Sequence, residues 1–393
     1  MKILHYTPNY SMQTETFIYD QICAVQKYAE FDNVIVASYL TNLESRPFDN
    51  IHHIPIKQFI SPRITGILAF RFQQLAYFID YDKWREVLAK EQPDVIHCHT
   101  GNGIKTIYHI LNKLKLKIPV VIAYYGSDVT SEPLKRRFYQ RDLSKFSNAI
   151  NTLSTVPTHF LKQKAIENLF IKSDKLRLLP NGFSPHFSDN PKCDFYQQGT
   201  QAPYKIIMVG RLVSCKGHQN LLHAFSQWLA TSGIHSTLTL VGDGPLKPEL
   251  LTLVNSLGLQ EKVEFIASLS HQQVAETMRA HDLYIQASIT DPVTLQAESF
   301  GVAALEAVSI GLPVIVSDCG GLPEVVDGPD TQARCIYPQH DISALMKSIQ
   351  KMYDSNFSGD EAFRLAVITR LSQQKNTENI IKIYKELIAK MPS

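Results

Sequence analysis

The run from Gly301 to Ser317 leaves little choice of fold. Ala303, Ala304, Leu305, Ala307 and Val308 favour a helix, Gly311 and Pro313 stop it, and Pro313 to Ser317 reads as a short buried strand. A helix delivered straight into a buried strand is the repeating unit of an α/β sheet with helices on both faces. The start of this helix also carries chemistry. The backbone N–H groups of Phe300, Gly301 and Val302 lack intrahelical acceptors and offer a site for an anion. Glu298 lies just before the helix and Glu306 about two turns inside it. Carboxylates accept hydrogen bonds from hydroxyls, so the stretch suits a phosphate flanked by hydroxyl-bearing groups, which describes a sugar nucleotide.

The same alternation runs along the chain. Strands are predicted at Ile3–Tyr6, Asn33–Ser38, Ile51–Pro55, Asp94–Cys98, Pro119–Tyr124, Ser147–Leu153 and from Leu176. Later ones fall at Ile206–Val209, Thr237–Val241, Val263–Ile266, Asp282–Gln286 and Val314–Val316. Helices are predicted from Glu15 or Thr16 to about Tyr28, from Gly103, around 342–353 and 361–371, and from Asn379 to Met391. Ile64 to Ile79 is apolar, aromatic and basic with helical spacing; core packing is its default, and a partly exposed face contacting lipid or acceptor is the alternative.

A chain of 393 residues is long enough for two or three domains. The net charge of +2 gives no argument for nucleic acid. Residues 1–190 hold 23 basic and 17 acidic side chains and the remainder 16 and 20, so the first half is the basic one. Much of the excess sits at Lys113, Lys115 and Lys117 and at Lys135-Arg136-Arg137. Such runs are ordinarily solvated helix faces, and an anionic membrane surface is the alternative partner. Cys23, Cys98, Cys193, Cys215, Cys319 and Cys335 form no C-x-x-C pair, which argues against a zinc ribbon or disulfide framework and fits a reducing compartment. Met1 to Tyr6 lacks the apolar core of a signal peptide, and no run reaches the ~18–20 apolar residues of a membrane span, so a cytoplasmic location is expected.

Two further stretches place polar groups at strand ends, where open α/β sheets bind ligands. In Tyr204-Lys-Ile-Ile-Met-Val-Gly-Arg-Leu-Val-Ser-Cys-Lys-Gly217, Gly210 lets the backbone turn closely, and Arg211 and Lys216 follow the strand. A forked and a compact cation there neutralise a diphosphate leaving group. In Pro93-Asp-Val-Ile-His-Cys-His-Thr-Gly-Asn-Gly103, His99 stands at the carboxyl end of a strand with His97 as an inward structural partner. Asp128, after Tyr125-Gly126-Ser127, is either a helix cap or a polar group near an acceptor.

The two Glu separated by seven residues, with Gly-Leu-Pro-Val and then Gly320-Gly321-Leu-Pro-Glu324, together with Gly-Arg-Leu…Lys-Gly, resemble the retaining GT-B glycosyltransferases of family 4. The resemblance covers nearly the whole chain. It implies two Rossmann-like domains facing across a cleft, an acceptor-side domain over 1–190 and a nucleotide-sugar domain over 191–372, with a final helix in 373–393 packing back onto the first. It implies that Glu298 meets donor-sugar hydroxyls and Glu306 the ribose. It likewise implies that Gly242 lies near the phosphates, Leu269 lines the base pocket and His99 stands near the reacting sugar. The glycines usual in the first strand-to-helix loop are missing. Thr14-Glu15-Thr16-Phe-Ile, and Tyr125 where many relatives have His, instead resemble an exopolysaccharide subgroup. The implied activity is transfer of a sugar, UDP-sugar favoured, to a hydroxyl of a glycan or a polyprenyl-diphosphate-linked acceptor in bacterial polysaccharide synthesis. Configuration is retained, no metal is expected, and peripheral contact with the inner face of the plasma membrane is possible. The alternatives are a nucleotide-sugar 2-epimerase and a non-catalytic subunit that binds nucleotide sugar.

Overall fold

A computed structural model describes residues 1–12, 16–57 and 75–390. The chain divides into two compact units, Met1–Gly182 with Gln373–Ser393, and Phe183–Ser372. The division falls at Gly182/Phe183, ahead of the expected residue 190, because Phe183 and Phe187 are already buried in the core of the second unit.

The first unit is built on a parallel sheet of order β3-β2-β1-β4-β5-β6-β7. Its strands are β1 (Lys2–Tyr10), β2 (Asp32–Leu40), β3 (Ile51–His53), β4 (Val95–His99), β5 (Val120–Ala123), β6 (Thr152–Val156) and β7 (Leu176–Leu178). Side chains alternate across a strand. Leu4, Tyr6, Ile96 and Cys98 therefore face one side, where the helix Gly101–Leu114 supplies Ile104, Ile107 and Ile110. Ile3 and Val95 face the other, where the helix Gln373–Ala389 packs Ile380, Ile383, Tyr384 and Leu387 against them.

Several elements differ from expectation for identifiable reasons. β1 runs through Pro8 to Tyr10, because pairing with β4 ends at Tyr6 and Cys98 and the missing N–H is not needed on that side. The strand expected at Ser147–Leu153 begins at Thr152. Ser147 ends the helix Arg137–Ser147, and the Asn148 side chain donates to the carbonyls of Ser144 and Phe170 to turn the chain. Most of Ile64–Ile79 lies outside the described residues, and the rest contains a short helix, Leu75–Phe78, with Leu75, Phe78 and Ile79 buried.

The second unit repeats the plan with the parallel order β10-β9-β8-β11-β12-β13. Its strands are β8 (Tyr204–Val209), β9 (Ser236–Val241), β10 (Val263–Ile266), β11 (Leu283–Gln286), β12 (Val314–Ser317) and β13 (Arg334–Tyr337). In both sheets the strand order reverses beside the first strand, between β1 and β4 and between β8 and β11. The carboxyl ends of those pairs are where such sheets take ligands.

Candidate active site

In the second unit the loops leaving β8 and β11 are joined backbone to backbone. The Ile289 N–H donates to Cys215 O at 2.9 Å. Gly217 has φ +70°, and a Cβ there would stand 1.9 Å from Ala287 O, so only glycine permits the approach. The loop after β9 joins them, since a Cβ on Gly242 would meet Gly210 O at 2.1 Å. Crossing this junction, Lys216 Nζ lies 2.5 Å from Glu298 Oε2. The same carboxylate accepts from Ser288 Oγ at 2.9 Å and Gln286 Nε2 at 3.3 Å, and Tyr284 donates to Gln286 Oε1. Burial pushes the Glu298 carboxyl up, but the Lys216 charge, its hydrogen bond, the Ser288 hydroxyl and the Arg211 charge outweigh it and hold the group below its ordinary value.

Beyond Glu298 the helix Val302–Ile310 starts at Gly301, which has φ +97° and no side chain to cap the first amides. Phe300 is anchored in the second core, and Glu306 is buried on the helix. Leu269, after β10, is half-buried against that core, and Arg211 is exposed. The structure thus brings Gly210, Lys216, Gly242 and Glu298 together from loops after β8, β9 and β11. Gln286 and Ser288 are not among the residues expected from the sequence: Gln286 ends β11 and Ser288 follows two residues on, both buried.

The first unit revises two expectations. His99 does not reach an open strand end: it is 0% exposed, because residues two apart on β4 share a face and that face is the one covered by the final helix. Its Nδ1 lies 3.1 Å from the Tyr125 hydroxyl and its Nε2 3.1 Å from His5 Nδ1. Asp128 is buried too. Its carboxylate accepts from the backbone N–H groups of Gly101, Tyr125 and Gly126, so it organises the loops after β4 and β5. Thr14 and Glu15 lie outside the described residues, and Thr16 begins the helix Thr16–Gln26.

At the β1/β4 switch point lies an open groove of about 340 Å³, lined by Tyr6, Asn9, Thr100, Asn102 and Arg136 among others. Thr100 has φ +83°, an outlier for a β-branched residue of the sort that gathers at working sites. An Asp-x-Asp triplet, Asp80-Tyr81-Asp82, escaped the sequence reading. Asp80 caps the helix Tyr81–Glu91 and pairs with Lys57, and Asp82 pairs with Arg85.

Residues 194–363 match the Glycosyl transferases group 1 family, and residues 32–187 match Glycosyltransferase Family 4. The chain belongs to the family 4 type of glycosyltransferases. An uncharacterized glycosyltransferase of Methanocaldococcus jannaschii is 25% identical over 300 residues, covering 71% of each chain. The phosphatidylinositol N-acetylglucosaminyltransferase GPI3 subunit of Saccharomyces cerevisiae is 24% identical over 250 residues, which cover 62% of this chain and 52% of the yeast one. The family 4 chain thus spans about half of that protein's length. Among solved structures, Anabaena Alr3699/HepE in complex with UDP and glucose superposes with a TM-score of 0.73 at 17% identity, over 98% of this chain and 99% of that one. The pair of parallel-sheet units is the GT-B fold.

Proposed function

We propose that this glycosyltransferase moves a sugar from a UDP-sugar, with retention of configuration, to a hydroxyl of a glycan or polyprenyl-diphosphate-linked acceptor in polysaccharide synthesis. The observation that carries the reading is the Lys216–Glu298 pair at the β8/β11 switch point, beside uncapped helix amides. When donor enters, the Lys216 ammonium turns to the pyrophosphate and Glu298 is released to accept from sugar hydroxyls. Arg211 and the amides at Gly301 and Val302 supply the remaining positive potential, so the departing diphosphate needs no metal for charge balance. The bond from the anomeric carbon to phosphate oxygen breaks as the acceptor oxygen approaches on the same face, and that phosphate oxygen takes the acceptor's proton. Glu306 suits the ribose hydroxyls and Leu269 the base. The solved neighbour holding UDP and glucose supports the choice of uridine.

A thermal-shift panel of UDP, GDP, ADP and their sugars tests this. UDP at about 100 times its Kd should add ~2.7 kcal/mol of stability, a rise of a few degrees. A rise with GDP or ADP alone would overturn the uridine assignment, and no rise with any nucleotide would overturn the donor site.

The acceptor is assigned to the groove of the first unit, where Arg136 suits an anionic group and Tyr6 a sugar or prenyl face. A lipid-linked acceptor is supported by the yeast relative, whose name places it on phosphatidylinositol. It is also supported by an exposed surface of Leu134, Phe138 and Phe170 beside Lys135, Arg137 and Arg141, which combines apolar anchors with cations. Among the described residues no helix is long and apolar enough to cross a membrane, so contact through this surface is peripheral. Vesicles with anionic lipid should co-sediment the protein in low salt, and Arg137→Glu with Arg141→Glu should abolish this. Equal binding to neutral vesicles would exclude the electrostatic contact.

A further inference from the structure

Three histidines meet inside the first unit. His5 of β1 pairs in register with His97 of β4, and His99 follows two residues on, so all three imidazoles lie on the face covered by the helix Gln373–Ala389. All are 0% exposed. One nitrogen from each ring lies within 4.8 Å of the other two.

The outer hydrogen bonds decide which nitrogens remain for an inner ligand. Asn33 Nδ2 donates to Ile22 O, so its Oδ1 accepts from His5 Nε2, and the lone pair of His5 is therefore on Nδ1. His99 Nδ1 meets the Tyr125 hydroxyl and His97 Nδ1 the Tyr384 hydroxyl, at 3.1 and 2.7 Å. Each ring thus has a polar partner on one nitrogen, the arrangement that orients histidines around a metal. The other nitrogens are His5 Nδ1, His99 Nε2 and His97 Nε2. The first two share a hydrogen bond at 3.1 Å, which an ion would replace, and that separation is close to the ~3.4 Å edge of a tetrahedron with metal–nitrogen bonds of about 2.0–2.1 Å. His97 Nε2 is buried without a hydrogen-bond partner among the described residues, a costly state for a polar atom.

We propose that His5, His97 and His99 form a structural binding site for a transition metal of the zinc class. Three imidazoles exclude the hard, oxygen-seeking Mg²⁺ and Ca²⁺ and suit Zn²⁺. His97 Nε2, within 4.8 Å of the other two, makes no hydrogen bond among the described residues that a metal would have to displace. The fourth position falls to a small ligand such as water. The ion would tie β1 to β4 at their switch point and, through His97 and Tyr384, secure the final helix. It takes no part in neutralising the donor, which belongs to the second unit.

Protein purified from zinc-supplemented cells should carry about one zinc per chain by plasma mass spectrometry. Chelation should lower its melting temperature by several degrees, and ZnCl₂ alone should restore it. Cobalt in place of zinc should give the visible absorption of a four-coordinate site. His97→Gln should lower metal affinity about 10–100-fold, whereas His340→Gln, at an exposed histidine, should change nothing. Native protein with less than about a tenth of an equivalent of metal, and a melting temperature unmoved by ZnCl₂, would overturn the proposal. Full metal retention in a folded His97→Gln would also overturn it. Should that variant not fold, the metal content and cobalt spectrum of the native protein decide.

Discussion

Lys216→Ala is expected to lower turnover about 10²–10³-fold or more while leaving the fold intact. The side chain lies along Gly210 and ends on Glu298, and it is not part of an apolar core, so its removal leaves no large cavity. It does remove the leading force that holds the Glu298 carboxyl down. Burial, the largest influence on that group, then prevails and the pKa of Glu298 rises. The residual activity of the variant should therefore fall off at a higher pH than that of the wild type as the medium is acidified. Steady-state kinetics with matched donor and acceptor, read beside melting temperature, checks both parts. Wild-type turnover in a folded Lys216→Ala protein would remove this lysine from the chemistry.

Gly320→Ala should be strongly damaging for a single methyl group near the site. Gly320 has φ +60°, and a Cβ there would lie 2.0 Å from the backbone oxygen of Glu298, which also accepts from the Gly321 N–H at 2.9 Å. Backbone cannot yield as a flexible side chain does, so the loop carrying Glu298 must shift. A loss of about 3 kcal/mol or more is expected, with weakened donor binding. Gly258→Ala is the matched comparison. Its φ is +67°, yet nothing lies within 4 Å of its would-be Cβ, so it carries backbone strain alone, about 1 kcal/mol. Thermal unfolding of the two variants separates clash from strain. Equal destabilisation would show that the contact with Glu298 is not tight.

The second unit was legible because its chemistry lies on short-range signals. Gly210, Arg211 and Lys216 sit within a few residues of a strand end, and Glu298 and Glu306 lie just before and two turns inside one helix, so their places could be read locally while the family resemblance supplied their roles. The first unit was harder to read for a physical reason. Whether His99 faces a ligand or the core depends on which sheet face the final helix covers, and that helix lies more than 270 residues away in the chain. Asp128 shows the same limit: the backbone N–H groups after β4 and β5 that donate to its carboxylate come together only when the sheet forms. Thr100 carried no signal at all, since backbone strain has no composition. His5 was read merely as part of a strand, because three rings on two strands become neighbours only through the register of β1 and β4.

The connectivity of the units has a consequence for synthesis on the ribosome. The second unit is one unbroken segment, whereas the first is completed only by residues 373–389, whose Ile380, Tyr384 and Leu387 cover a sheet face made more than 200 residues earlier. During translation the later-encoded unit can therefore finish first, and the earlier one waits with apolar Ile3, Val95 and Val121 uncovered. A nascent chain of this design has a long interval in which chaperones, rather than its own helix, must shield that surface.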